Sequence, residues 1–356
     1  MSDTTESFRL IQMIDKDALG TVHCAAWKDA EEAAEEIVLA RLYDPSGLDP
    51  DRFMERAAER QSLIGEQIGE QLLISRHMGI VQGQAFELQP YLSGKSLATL
   101  LHQAKGHRKD FPLAVALFVV GRIAAGLSAA YRHGLDGENL LHGFVTPQLV
   151  RLSEEGRVVV CGLETAQALR EFRGNAASLG QILPYLAPES LSSEELHRSD
   201  DVYSLGVILY ELLTLQPLRS AAELRFEHPK IPTELRRFLD RCVAPRYRRI
   251  QSVLQWVQEL KTLVIREGWP AAAQDLSTFL ASIDERLHPL KPDTSQITAD
   301  DREAFAEAIR EAKTKASEEV FQTMAVPSDI LDDVDESPPP PSQESQDSGS
   351  GPISLS

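Results

Sequence analysis

The spacing of apolar residues changes once along this chain of 356 residues, and the change limits the folds open to it. Up to about residue 95, short runs with β-like patterning predict five strands. One charged helical segment interrupts them, with Asp49 as a candidate N-cap and Pro50 at the first helical position. From there to about residue 285 the pattern is mostly helical. A small β-rich unit followed by a larger helical unit indicates an α+β fold with a cleft between the units. The strand candidates read FRLIQMI, TVHCAAW, EEIVLARLY, LLISRHMGI and QAFELQPY, and the helix reads DPDRFMERAAERQSLIG.

The net charge and the cysteine content limit which partners and which cell compartment are expected for this protein. The net charge of −18 disfavours nucleic acid or an anionic membrane as the main partner. Cys24, Cys161 and Cys242 are scattered and odd in number, which fits reduced cytoplasmic thiols better than disulfides or a zinc site. The longest apolar stretch, PLAVALFVVGRIAAGLSAAY, contains Arg122 and indicates a buried helix rather than a membrane span. The N-terminus lacks a signal-peptide pattern. We therefore expect a cytoplasmic protein without a metal site.

Four motifs occur in an order that is more specific than any one of them. They read PYLSGKSLATLL at 90–101, PYLAPESL at 184–191, DVYSLGVILYELLT at 201–214 and CVAPRYRR at 242–249. Together they resemble the eukaryotic-type Ser/Thr protein kinase family as found in bacteria, over roughly residues 8 to 265. The resemblance implies a two-lobed fold in which Asp201 braces the catalytic loop through its backbone. It also implies that Arg248 pairs with Glu189.

The resemblance and the composition together divide the chain. A kinase-like domain is expected at 1–265, with an N-lobe at about 8–90 and a C-lobe at about 91–265. An accessory amphipathic helix at 266–290 should dock on the large lobe or on a partner, and a helical extension should follow at 296–325. The last segment, 326–356, is acidic, rich in Pro and Ser and free of Lys and Arg, so we expect it to be disordered.

The catalytic positions implied by the resemblance carry residues without the family's chemistry. The His of the His-Arg-Asp loop falls on His142, but the catalytic Asp falls on Phe144, which cannot accept a proton. The two metal ligands fall on Leu149 and Gly162, which offer no side-chain oxygen. We expect Glu164, two places further on, to be a solvent-facing charge rather than a substitute ligand. Phosphate-dependent switching is not expected either, because the loop lacks its Arg.

The N-terminal positions implied by the resemblance depart from the family as well. The glycine-rich loop falls on Asp15, Asp17, Gly20 and Val22, and two carboxylates there should repel phosphates. The third-strand Lys falls on Arg41, which keeps the charge in a larger, forked group. Its partner Glu on the helix is either Glu55 or Glu59, since the register allows both. Leu39 replaces a small residue against the adenine and should partly fill its slot. The cleft residues are Val22, Leu39, Arg41, Pro90 and Leu92.

These departures predict a catalytically inactive member of the family, a pseudokinase. We expect it to act as a regulatory scaffold or allosteric partner of another protein, such as an active kinase or its substrate. No cofactor is expected, ATP binding should be weak or absent, and no Mg²⁺ site is expected. The alternative is an enzyme, a divergent Ser/Thr protein kinase or another phosphoryl or nucleotidyl transferase, that uses Arg41 and Glu164 in altered roles. A third reading is a plain interaction module whose acidic tail does the binding.

Overall fold

The computed structural model describes residues 8–28, 36–64, 69–132, 140–171, 174, 176–191, 195–216 and 229–283. The predicted helical extension at 296–325 and the acidic tail at 326–356 lie outside the described residues. The described part has two lobes, a small one dominated by a β-sheet and a large one dominated by helices. The α+β prediction is therefore confirmed.

The small lobe is a five-stranded antiparallel sheet with the order β1-β2-β3-β6-β5. Helix α1 packs against β5 and β6. The Asp49 side chain caps this helix by accepting the N–H groups of Asp51 and Arg52, and Pro50 is its first residue, as predicted. The elements are β1 (Phe8–Asp17), β2 (Gly20–Trp27), β3 (Glu36–Tyr43), α1 (Pro50–Gln61), β5 (His77–Val81) and β6 (Gln84–Pro90).

One predicted strand is divided between two sheets. The candidate LLISRHMGI forms β4 (Leu72–Leu73) and β5, and β4 leaves the small-lobe sheet to pair in parallel with β9. This second sheet has the order β4-β9-β8-β7 and lies where the lobes meet. Its pairing depends on residues almost 90 positions apart, so local patterning could not reveal the division. Its other strands are β7 (Lys95–Ser96), β8 (Val150–Leu152) and β9 (Val158–Cys161).

The large lobe is built around the apolar helix α3, which contacts α6, α8, α9 and β9. Among the described helices, α3 alone is long and apolar enough to cross a membrane, yet 67% of its apolar window is buried within the protein. It is therefore the buried helix that the sequence predicts. The helices are α2 (Leu97–Gly106), α3 (Leu113–Arg132), α4 (Ala166–Leu169), α5 (Ala176–Ile182), α6 (Asp200–Thr214), α7 (Thr233–Val243), α8 (Val253–Glu267) and α9 (Ala273–Ile283).

Helix α9 lies inside the range predicted for an accessory helix and packs on the large lobe. Its buried residues include Leu276, Phe279 and Leu280, and the Phe279 ring lies 4.5 Å from that of Phe111. The start of the helix touches the β8–β9 turn so closely that Gly156 is required there. A Cβ at this position would lie 2.2 Å from the Ala273 carbonyl oxygen, and its φ is +86°.

Candidate functional site

The loop that precedes β8 is held by hydrogen bonds to a buried carboxylate. Asp201, near the start of α6, accepts the backbone N–H groups of His142 at 3.1 Å and Gly143 at 2.7 Å. Burial raises the pKa of Asp201 to about 6, although these two hydrogen bonds oppose the increase. The His142 ring bonds through Nε2 to the Cys161 carbonyl at 3.0 Å, and burial lowers its pKa to about 4. This is the bracing arrangement that the resemblance implies.

The predicted positions of the base and of one metal ligand lie in an apolar cluster. Phe144 is 2% exposed and Leu149 is fully buried. Leu19, from the turn between β1 and β2, is also fully buried in this cluster. The β1–β2 turn is thus packed over the place where the family positions its reacting groups. The other buried members are Ala18, Tyr43, Phe53, Ala85, Ala166, Ala168, Leu169, Ile182 and Leu186.

The segment after β9 contains a buried acid that sequence reasoning placed wrongly. Glu164 was expected to face solvent, but its side chain is fully buried and accepts the backbone N–H of Ser75. Burial, with the nearby Glu87 carboxylate, raises the pKa of Glu164 to about 7. Gly162 has a φ of +75°, and a Cβ there would lie 3.1 Å from the Thr165 hydroxyl. Within the described residues no group of three His, Cys, Asp or Glu side chains could hold a metal ion.

Arg41 is paired with Asp17, the last residue of β1. Its guanidinium donates to both carboxylate oxygens of Asp17, at 3.1 and 3.0 Å, and to the Gln148 carbonyl at 3.2 Å. The side chain of Glu87 lies 4.0 Å away. Burial alone would lower the pKa of Arg41, but the Asp17 carboxylate raises it, so the ion pair is maintained. The two carboxylates expected to repel phosphates therefore have protein partners, since Asp15 accepts hydrogen bonds from α2.

The hydroxyl groups that bind Asp15 stand at the beginning of α2. Ser96 donates at 2.7 Å and Thr99 at 2.9 Å, while the Ser96 hydroxyl also caps the helix by accepting the Thr99 N–H. The β1–β2 segment is thereby tied to the large lobe at Asp15 and to the Gln148 carbonyl through the Asp17–Arg41 pair. Both ties join the small lobe to the large lobe.

Helix α1 does not supply a partner to the β3 arginine. Glu55 and Glu59 are both exposed, and Glu59 pairs with Arg56 on the same helix at 3.4 Å. Both alternatives for the partner Glu are therefore wrong. The inward face of α1 instead carries Arg60, which donates to the Leu163 carbonyl at 3.2 Å and to the carbonyl of residue 141. Sequence reasoning missed this arginine, although buried α1 positions recur at helical spacing.

The predicted adenine slot is filled by apolar side chains. Val22, Leu39 and Leu92 are 3%, 1% and 4% exposed and pack in one cluster with Val159 and Cys161. Leu39 is therefore buried among apolar side chains, while its effect on adenine binding stays a prediction.

The connection between the lobes is held by a second residue that the sequence did not reveal. Arg151 is 4% exposed and donates to the carbonyls of Leu92 at 3.4 Å and Gly94 at 2.9 Å. Burial lowers the pKa of Arg151. Pro90, the first hinge position, ends β6 and pairs with Val38 of β3.

The ion pair predicted between Glu189 and Arg248 involves the next arginine. Arg249 donates to Glu189 at 3.0 Å and is 3% exposed, whereas Arg248 is exposed and lies over the Tyr247 ring at 5.5 Å. Both arginines follow Pro245 in one turn, in which the Pro245 carbonyl accepts the N–H groups of Arg248 and Arg249. This turn geometry decides which side chain points inward.

Leu196 occupies the space beside Gly143, the position at which the family has an arginine. Gly143 has a φ of +68°, and a Cβ there would lie 2.2 Å from Leu196 Cδ2. No larger residue fits this position without moving Leu196 and straining the backbone.

Comparison with known proteins places this arrangement in a family. A family model described as protein tyrosine and serine/threonine kinase matches residues 8–257. Tyrosine-protein kinase MasK of Myxococcus xanthus is 25% identical over 210 residues, which are 58% of this chain and 32% of MasK. Serine/threonine-protein kinase PknD of Mycobacterium tuberculosis is 27% identical over 215 residues, which are 59% of this chain and 30% of PknD. The matches thus span about a third of these relatives.

Solved structures show the same fold. The crystal structure of the M. tuberculosis PknI kinase domain superposes with a TM-score of 0.54 at 18% identity, covering 72% of this chain and 94% of that domain. The family match covers well over half of the chain. The chain therefore belongs to the protein kinase family and has its two-lobed fold.

Proposed function

We propose that this kinase-family protein is a pseudokinase, a regulatory binding protein with little or no phosphotransfer. The observation that carries the proposal is the burial of Phe144 and Leu149 with Leu19 in one apolar cluster. A general base typically contributes about 10²- to 10⁴-fold to a rate, and metal ions neutralise charge on the transferred phosphoryl group. Apolar side chains at these positions supply neither effect.

The residues present do not fit ATP or Mg²⁺. Leu149 and Gly162 offer no side-chain ligand oxygen, and Glu164, two residues after Gly162, is buried against the Ser75 N–H. Leu39 lies within the apolar cluster at the adenine position, and Arg41 is held by Asp17. Binding of nucleotide would have to break that ion pair and open the cluster. We therefore propose that the protein needs no cofactor and binds ATP weakly or not at all.

Retention of the scaffold supports a role in protein binding. Asp201 and Glu189 keep their hydrogen bonds although the reacting groups are replaced. Replacing buried ionic groups with apolar ones is often neutral or stabilising, so the fold can be retained after the catalytic groups are lost. We propose a protein partner, such as an active kinase or its substrate, in the cytoplasm, where the three free buried cysteines would stay reduced.

The similarity to tyrosine and serine/threonine protein kinases supports the alternative, a divergent Ser/Thr kinase that transfers phosphate from ATP to protein. One assay separates the two. The full chain is incubated with radiolabelled ATP, Mg²⁺ or Mn²⁺ and a generic basic protein substrate. We expect no incorporation above a mock purification. Incorporation that disappears in Arg41→Ala but persists in Arg266→Ala, a matched exposed arginine, would refute the pseudokinase proposal.

Nucleotide binding is tested separately by thermal shift. We expect ATP at millimolar concentration, with or without Mg²⁺, to leave the unfolding temperature unchanged. A ligand at free concentration L stabilises the folded state by RT ln(1 + L/Kd), which is negligible when Kd is far above L. A concentration-dependent increase that Leu39→Ala enlarges would show that the slot admits adenine.

A further inference from the structure

A large groove lies between α1 and the segment that leads into α6. Its volume is about 1260 Å³, which exceeds the roughly 300–1,000 Å³ typical of pockets for small ligands. Its apolar lining includes Phe53 and Leu169, and at its inner end it reaches Phe144. We call it the α1 groove.

The rim of the α1 groove exposes apolar surface. Leu183 is 40% exposed and Leu191 is 53% exposed, and both line the groove. Leu183 and Leu191 line the same groove as the buried apolar residues, so the exposed apolar surface at the rim is continuous with the apolar lining. Contiguous exposed apolar surface next to a concave site is typical of an interaction surface.

The lining of the α1 groove contains more cations than anions, with Arg52, Arg56 and Arg170 against Asp49 and Glu171. Arg52 and Arg56 contact the Glu171 carboxylate at 2.6 and 3.7 Å, and Arg56 also contacts Glu59 at 3.4 Å. Asp49, which also lines the groove, has its side chain engaged by N–H groups at the start of α1. In a protein of net charge −18, this lining differs from the average surface. It favours an occupant that combines apolar side chains with carboxylates.

The chain itself contains such a segment. Residues 326–336 read VPSDILDDVDE, in which the apolar pair Ile330 and Leu331 is flanked by acidic residues without any Lys or Arg. The described structure ends at Ile283, so residues 284–329 form a tether of 46 residues. If 296–325 is the helix that the sequence predicts, that helix alone spans about 45 Å at 1.5 Å per residue. The other 16 residues of the tether add to this reach, whereas a domain of this size has a diameter of roughly 48 Å. The tether is therefore long enough for the segment to reach the groove.

We propose that residues 326–336 dock into the α1 groove of the same molecule. Ile330 and Leu331 pack on the apolar lining, and the neighbouring carboxylates lie beside Arg52 and Arg56. Tethering gives an effective concentration on the order of 1 mM, so a contact with a dissociation constant of about 0.1 mM is about nine-tenths occupied. The docked segment covers the surface beside Phe144 and competes with any protein that binds there. This docking does not depend on whether the chain transfers phosphate.

The test is energy transfer between two dyes on the full chain. One dye is attached at Glu55→Cys, an exposed α1 position, and the other at Ser337→Cys, just after the docking segment. The three native cysteines are buried, so the introduced thiols react selectively. We expect efficient transfer that at least halves with Ile330→Ser plus Leu331→Ser. The matched change Ile353→Ser plus Leu355→Ser, in the same tail, should leave the transfer unchanged.

The groove side is tested independently. Arg52→Glu plus Arg56→Glu should also halve the transfer, whereas Arg266→Glu should not, since the Arg266 and Arg52 side chains are both 60% exposed and paired with a Glu. A melting curve for each variant checks that the fold is retained. Transfer that is insensitive to both the tail and the groove substitutions overturns the proposal. Transfer that increases with protein concentration overturns it as well, because the occupant would then be a second copy.

Discussion

Arg249 is the buried cation on which the contact between the segment at Glu189 and the start of α6 depends. It donates to Glu189 at 3.0 Å and lies 3.6 Å from Asp200, and its guanidinium stands 5.1 Å from the centre of the Tyr203 ring. It also donates to the carbonyls of Ala244 and Ser199. Arg249→Met retains much of the side-chain volume but removes every one of these donors.

The magnitude follows from what is left behind. Removing one partner of a buried ion pair costs about 3–5 kcal/mol. The lower end applies here, because Glu189 is 33% exposed and because Arg246 still contacts Asp200 at 3.2 Å. We therefore expect the free energy of unfolding to fall by about 3 kcal/mol, a decrease in melting temperature of roughly 6–12 °C for a domain of this size.

Urea unfolding of the full chain, followed by tryptophan fluorescence, measures this change. Arg248→Met is the matched control, one residue earlier and exposed, and should change the stability by less than about 0.5 kcal/mol. The reasoning is refuted if Arg248→Met costs as much as Arg249→Met. It is also refuted if both are neutral, since the buried network would then contribute nothing.

Three further substitutions test other parts of the site. The raised pKa of Glu164 means that the folded state holds this proton more tightly than the unfolded state, so the group's contribution is fully present below about pH 4.5 and is lost as pH rises through 7. Between pH 4.5 and pH 7 the free energy of unfolding should therefore decline by up to about 3 kcal/mol less in Glu164→Gln than in the unsubstituted protein. An equal effect of the control Glu59→Gln would contradict the assignment to Glu164. Gly143→Ala should destabilise by about 1–3 kcal/mol in urea unfolding, because its methyl meets Leu196 and its φ is positive; Gly121→Ala, with open space around it, should be neutral or stabilising, and equal effects would show that sterics at residue 143 are not the cause. Asp17→Ala leaves Arg41 buried without its bidentate partner and should cost roughly 3 kcal/mol in the same assay; no loss would show that the pair does not close the cleft.

Three buried arginines around the cleft make the same kind of contact. Arg41, Arg60 and Arg151 each donate to backbone carbonyls of the loops or the hinge, and each is at most 8% exposed. A guanidinium has five donors in a fixed fork, so it can join two chain segments at once. In this protein the cations tie the loops to one another. This use of charge is consistent with a cleft that maintains a fixed shape.

Local patterning was enough to predict much of the architecture. The change from strand-like to helical spacing separates the two lobes, and the cap at Asp49 with Pro50 marks the start of α1. The bulk of Leu39 and the apolar character of Phe144 and Leu149 likewise predicted that these side chains are buried. These features follow from side-chain periodicity, backbone capping and hydrophobicity, which are properties of neighbouring residues and need no knowledge of the rest of the fold.

Tertiary packing decided which charged groups meet. The sequence alone left Glu55 and Glu59 as partners for Arg41, yet the partner is Asp17, because α1 turns Arg60 inward and leaves both Glu side chains outside. It assigned the buried ion pair to Arg248, whereas the buried partner of Glu189 is Arg249. Glu164 is buried because β4 crosses to β9 and brings Ser75 over it. Each outcome depends on distances and desolvation set by segments far apart in the chain, and no local spacing encodes those.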